Sequence, residues 1–134
     1  MVEIRHATEA DRDAIGAMYR EAFSDEDLVP LVGRLFDAGD SVVSLMAEID
    51  GAPAGHVAFT RCAVGGVAAW LLAPLVVAPS HQRRGIGTAL MRAGFERAID
   101  AGVIRVLVLG DPAYYSRVGF AREDAIAPPY KLPP

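Results

Sequence analysis

Apolar residues recur along this chain first at helical spacing and then at strand spacing. The opening VEIR reads as a short strand. Thr8 then starts a helix, with Asp11 three places on in an approximate capping box. Ile15, Met18, Tyr19, Ala22 and Phe23 fall at i, i+3, i+4, i+7 and i+8, which gives one apolar face. Leu28, Leu31, Val32, Leu35 and Phe36 repeat that spacing, and Gly39 is a natural cap for this second helix. The period then changes. SVVSLMAEI is rich in β-formers, Asp50-Gly51 is a tight-turn signal, and AGHVAFTRC follows as the partner strand of an antiparallel hairpin. Gly65-Gly66 marks another turn. VAAWLLAPLVV is nearly all apolar, as expected of a central strand covered on both faces. Pro74 cannot donate to a ladder there, and a bulge would reconcile it with the strand.

The second half continues with a long helix from Gly85 to Ala101, closed by Gly102, and a buried strand in VIRVLVLG. Asp111 and Pro112 suit the start of a short helix that ends near Gly119, and Phe120 begins a last extended piece. The tail AIAPPYKLPP carries four prolines and should form no regular structure. Hairpins beside a strand–helix–strand unit imply α/β layers around a mixed, mostly antiparallel sheet in one domain, residues 1–134.

Composition narrows the function. The 134 residues are 52% hydrophobic, enough for one packed core. Thirteen Lys+Arg against seventeen Asp+Glu leave a net charge of −4, which argues against a nucleic-acid or anionic-membrane binder. The single cysteine, Cys62, fits a reducing compartment and reads as a packed small residue. The charged N-terminus is unlike a signal peptide, and no apolar stretch reaches spanning length. A soluble, cytoplasmic protein is expected.

The chemistry concentrates where the central strand meets the long helix, in VVAPSHQRRGIGTAL. The first turn of a helix has N–H groups without internal partners and the positive end of the dipole, which together suit an anion. Glycine lets the backbone approach a bulky phosphate. Gly85 and Gly87 sit two apart as the helix begins, Arg83 and Arg84 supply positive charge, and Thr88 offers a hydroxyl. Glycines at such a junction also serve plain tight turns, and paired arginines are commonly solvated. The segment lacks the Gly-Lys-Ser/Thr of nucleotide hydrolases and the third glycine of the dinucleotide fingerprint.

Gln82-x-x-Gly85-x-Gly87, placed after LLAPLVVAP, resembles the acyl-CoA-binding motif of the GNAT superfamily of N-acetyltransferases. The two amphipathic helices, the Asp50-Gly51 hairpin and Tyr115-x-x-x-Gly119-Phe120 match the family order, so the resemblance runs from about Ile4 to Phe120. It implies acetyl-CoA as cosubstrate, no metal, and a small-molecule or peptide amine as acceptor. Leu75, Val76 and Val77 would pair with the pantetheine arm, and Gln82, Arg83, Arg84, Gly85, Ile86, Gly87 and Thr88 would hold the diphosphate. Tyr115 would be the general acid, with Tyr114 the alternative, because a phenol of pKa about 10 can protonate a departing thiolate.

No general base stands out. Glu9, Asp11, Asp13, Glu21, Asp25, Glu26, Asp27 and His56 are all candidates, and a water relay is another route. Relatives follow Gly-Phe with two more strands, whereas fourteen residues remain here after Phe120. The C-terminal strand is therefore expected to be missing: the chain could be truncated, incompletely represented, or completed by a partner subunit. An open edge there would favour pairing with another chain, a homodimer among the options. Gly110-Asp111-Pro112 also stands where many relatives have an asparagine. These departures keep a non-catalytic acyl-CoA-binding module, or a plain structural domain, in competition with the enzyme.

Overall fold

The computed structural model describes residues 2–24, 27–103 and 105–108. Its elements follow the order read from the periodicity: β1 (Val2–His6), α1 (Arg12–Ala22), α2 (Val29–Asp37), β2 (Val42–Ile49), β3 (Ala52–Val64), β4 (Val67–Val77), α3 (Ile86–Asp100) and β5 (Val106–Val108). The short helix after Asp111, the piece at Phe120, the proline-rich tail and the question of a final strand lie outside the described residues. The five strands form one sheet in sequence order. β1 to β4 pair antiparallel, and β5 runs parallel to β4. This is the mixed, mostly antiparallel α/β sheet expected.

Both hairpins turn where two consecutive residues take positive φ. Asp50 and Gly51 have φ of 52° and 81°, and Gly65 and Gly66 have 58° and 79°. Such pairs match the right-handed twist of the flanking strands. Alternation along β3 then sends Val57 and Phe59 to one side and His56 to the other. On the first side, Ile86, Leu90 and Met91 of α3 cover Leu45, Val57, Phe59, Trp70 and Leu72. On the second, Ile15, Met18 and Tyr19 of α1 and Val32 of α2 cover Met46 and Val76. A buried face on each side is why β4 reads as a continuous apolar run.

α3 lies close to the sheet because two glycines make room. A Cβ on Gly94 would come within 2.1 Å of Phe59 Cζ. One on Gly55 would sit 2.9 Å from the Val76 carbonyl oxygen and 3.0 Å from Leu90 Cδ1. The first turn of the N-terminal helical region is a 3-10 turn at Glu9–Asp11 rather than α-helix. There Asp11 accepts from the Thr8 main-chain N–H at 2.7 Å and from the two terminal guanidinium nitrogens of Arg5, at 2.7 and 2.8 Å. Arg5 also donates to Glu48 at 2.8 Å, so one cation fastens β1, the helix start and β2.

Candidate active site

The expected bulge is present in β4. Val57 pairs with Leu75 and Phe59 with Leu72, so Ala73 and Pro74 together face the single residue Ala58. Pro74 therefore occupies the position where a missing N–H costs no ladder bond. Among the described residues, β5 pairs with Trp70, Leu71 and Leu72 only. Past the bulge, Leu75, Val76 and Val77 keep β3 as their strand neighbour. Val76 is buried beneath α1, while Leu75 and Val77 are half-buried on the α3 side.

The chain leaves β4 through a 3-10 turn at Pro79–His81 and reaches α3 through Gln82 to Gly85. The Gln82 side-chain amide donates to the Val77 carbonyl at 3.1 Å, so this residue ties the turn to the end of β4. Arg83 and Gly85 have φ of 67° and 77°. A non-glycine residue with positive φ costs of order 1 kcal/mol, and such strain collects at ligand-holding turns. The first main-chain bond of α3 runs from Ala89 N–H to Gly85 O, at 3.0 Å. The N–H groups of Ile86, Gly87 and Thr88 are thus left without intrahelical acceptors. The space above Gly85 is open among the described residues, none of which lies within 4 Å of a Cβ built there. Arg83 and Arg84 are exposed and form no ion pair among the described residues. Leu75, Val76, Val77, Gln82, Arg83, Arg84, Gly85, Ile86, Gly87 and Thr88 lie along one continuous path from the bulged strand into the helix. Tyr114 and Tyr115 lie outside the described residues.

The proposed bases fare unequally. Asp11 is committed to Arg5 and Thr8, and those bonds hold its carboxyl well below the usual carboxylate range. Glu9 pairs with Arg12 at 2.7 Å, and Asp27 accepts from Val29 N–H at the start of α2, at 3.3 Å. Asp25 and Glu26 lie outside the described residues. His56 is 1% exposed. Its Nδ1 meets the Tyr19 hydroxyl at 2.9 Å and its Nε2 meets the Ser44 hydroxyl at 2.6 Å. Burial lowers its pKa to about 3, so the imidazole is neutral, occupied on both nitrogens and unsuited to accept a proton at neutral pH.

That burial has a measurable consequence. The folded state holds His56 neutral, while the unfolded chain protonates near the ordinary value of 6.5. The unfolded state therefore binds more protons between pH 6.5 and about 3, and stability falls as pH drops through that window. The slope approaches ~1.4 kcal/mol per pH unit for one such group. Denaturant midpoints should fall between pH 6.5 and 4.5 in the wild type and fall less steeply in His56→Gln. Parallel pH dependence in the two proteins would contradict the buried neutral histidine.

A bulged strand, a strained turn and a helix start whose first N–H groups have no intrahelical acceptor follow one another along the chain. A family model described as the acetyltransferase (GNAT) family matches residues 12–120, most of the chain. The chain belongs to this family. An uncharacterized N-acetyltransferase of Escherichia coli K12, YjhQ, is 33% identical over 138 residues, spanning 96% of this chain and 76% of that protein. A GNAT acetyltransferase from Brucella melitensis, solved with acetyl-CoA, superposes with a TM-score of 0.83 at 30% identity, over 100% of this chain and 92% of that one. The N-acetyltransferase YhbS of Escherichia coli, solved with CoA, gives a TM-score of 0.82 at 33% identity, over 90% of this chain and 68% of that one. This GNAT chain thus has the fold and the activity class of an acyl-CoA-dependent acetyltransferase.

The sequence motif pointed to the turn, and the structure adds two residues that periodicity did not single out as functional. Gly55 and Gly94 set how closely α3 approaches β3 and β4. The available signal was an isolated glycine inside a strand pattern and another inside a helix pattern.

Proposed function

We propose that this enzyme transfers an acetyl group from acetyl-CoA to a primary amine, by direct attack of the amine on the thioester. The observation that carries this reading is the set of free N–H groups on Ile86, Gly87 and Thr88, at the end of a strand bulged at Ala73–Pro74. The two relatives solved with acetyl-CoA and CoA support it. In this reading the turn from Arg83 to Thr88 holds the diphosphate through main-chain N–H groups, with Arg83 and Arg84 adding charge. Leu75, Val76 and Val77 offer main-chain groups to the pantetheine amides, as an added strand would.

The chemistry then runs in two stages. The nitrogen lone pair forms a C–N bond to the thioester carbon, and the carbonyl π pair moves to oxygen. A main-chain N–H near Leu75 stabilises that oxyanion. The oxyanion collapses, the C–S bond breaks, and the thiolate takes a proton from the Tyr115 phenol. The nitrogen gives up its proton to water, since His56 and Asp11 are both committed elsewhere. The reading treats the chain as one cytoplasmic domain, a location its single cysteine supports.

Tyr115→Phe tests the role of the phenol. A general acid contributes ~100- to 10,000-fold, so the acetyl-CoA- and amine-dependent release of CoA should drop by about that factor in kcat. The Kd for acetyl-CoA should stay within about twofold, because the phenol acts on the leaving group. An unchanged kcat removes Tyr115 from the mechanism. Tight acetyl-CoA binding with no turnover on any amine of a broad panel would favour a binding module.

A further inference from the structure

A cavity of about 210 Å³ opens between α1 and α2, on a flank that acetyl transfer leaves unused. α1 packs on the sheet through Ile15, Met18 and Tyr19. Arg12, Gly16 and Arg20 lie roughly 110° round the helix from that face, so the cavity is turned away from the sheet and from the turn into α3. Glycine makes the room. A Cβ on Gly33 of α2 would lie 3.6 Å from Arg12 Nη2, and one on Gly16 would lie 3.9 Å from Arg20 Nη1. Each guanidinium therefore stands over a residue without a side chain. The two arginines differ in what they hold. Arg12 donates to Glu9 at 2.7 Å, to the Gly33 carbonyl at 2.8 Å and to Asp37 at 2.9 Å, so its charge is answered and its place is fixed. Arg20 has no ion pair or hydrogen bond among the described residues, and neither has Asp13, which lines the same cavity.

Two unanswered charges of opposite sign thus border one cavity, and its remaining wall is aliphatic. Val29 is half-buried there, and Val32 is 1% exposed. The Arg20 guanidinium hangs at the level of Gly16. Asp13 precedes Gly16 by three residues, a rise of ~4.5 Å along the helix. An α-amino acid holds its ammonium and carboxylate ~3 Å apart, which suits that offset once a hydrogen bond is added at each end. The cavity is smaller than the ~300 Å³ at which drug-sized sites begin, which limits the occupant to a small metabolite. We propose that the cavity between α1 and α2 binds a free α-amino acid with an aliphatic side chain. Arg20 takes the carboxylate, with its fork of donors, and Asp13 takes the ammonium. Val29 and Val32 take the side chain. The site is separate from the one that holds acetyl-CoA, and it does not depend on the identity of the acceptor amine.

The test is isothermal titration of the full chain with L-leucine, with isocaproate, which lacks the ammonium, and with isoamylamine, which lacks the carboxylate. Leucine should bind with a Kd of ~1 mM, as expected of two partly exposed ion pairs and a small apolar contact. Each single-headed analogue should bind at least ~5-fold more weakly. Arg20→Gln and Asp13→Asn should each weaken leucine binding by about the same factor, while CoA affinity stays within about twofold. Both residues are exposed, so thermal unfolding of the variants without ligand should match the wild type. Absence of leucine binding at ten times the expected Kd overturns the proposal. So does leucine binding that neither substitution weakens, which would place the amino acid elsewhere. Isocaproate binding as tightly as leucine would mark a plain carboxylate site and overturn the assignment to an amino acid. The parallel CoA titrations keep these outcomes distinct from the transfer reading.

Discussion

Gly94→Ala should lower the melting temperature by roughly 10 °C, which corresponds to about 3 kcal/mol for a chain of this size. The added Cβ would lie 2.1 Å from Phe59 Cζ and 2.2 Å from Cε2. Phe59 is fully buried and rests against Trp70, with ring centroids 5.9 Å apart, so the ring cannot swing away into solvent. Either α3 lifts from the sheet or the ring leaves its rotamer, and both disrupt packing around the bulge, because Phe59 pairs with Leu72. The sign makes this a sharp test. In an uncrowded helix the same change would stabilise by up to ~1 kcal/mol, since alanine is the better helix former. Phe59→Leu in the Gly94→Ala background should recover at least ~1 kcal/mol relative to additivity, measured from denaturant midpoints. A Gly94→Ala protein as stable as the wild type would contradict the close approach of α3 to Phe59.

Gly85→Asp should weaken CoA binding about 100-fold or more, while Gly85→Asn weakens it only a few-fold. The two replacements have the same shape and tolerate positive φ better than other residues. They share whatever strain the φ of 77° imposes, and they differ in charge. Among the described residues, the space above Gly85 admits either side chain without a clash. The aspartate carboxylate would lie beside the free N–H groups of Ile86, Gly87 and Thr88, where it competes with the diphosphate and repels it. A hundredfold difference corresponds to about 2.7 kcal/mol, within reach of one charge at a partly desolvated site. Thermal unfolding of the two variants without ligand should agree closely, which separates the binding effect from folding. Equal CoA affinity in the two would show that the ligand charge lies elsewhere.

Much of this organisation was legible in the residues. VAAWLLAPLVV coincides with β4 end to end, and its misplaced proline located the bulge. Both hairpins were fixed by two-residue turns whose chemistry is local. Local signals failed where a distant partner decides. The strand expected from Val103 onward is described only from Val106, because Val103 N–H closes the end of α3 on the Ala98 carbonyl at 2.8 Å. Asp11 reads as a helix-start residue or a base, and Arg5 and Glu48 turn it into part of a clamp across β1 and β2. His56 reads as a lone strand histidine. Its partners, Ser44 and Tyr19, are 12 and 37 residues away, and burial by α1 removes it from the list of bases. Gln82 reads as part of the diphosphate motif, and the bond from its side chain to the Val77 carbonyl is a further role that the motif alone does not show.

The measurement closest to the central claim is isothermal titration of the wild-type protein with CoA and, separately, with pantetheine, which lacks the diphosphate. If free main-chain N–H groups between Arg83 and Thr88 grip that diphosphate, CoA should bind at least ~100-fold more tightly than pantetheine, with the gap narrowing as salt rises. Equal affinities for the two ligands, at every salt concentration, would contradict the account.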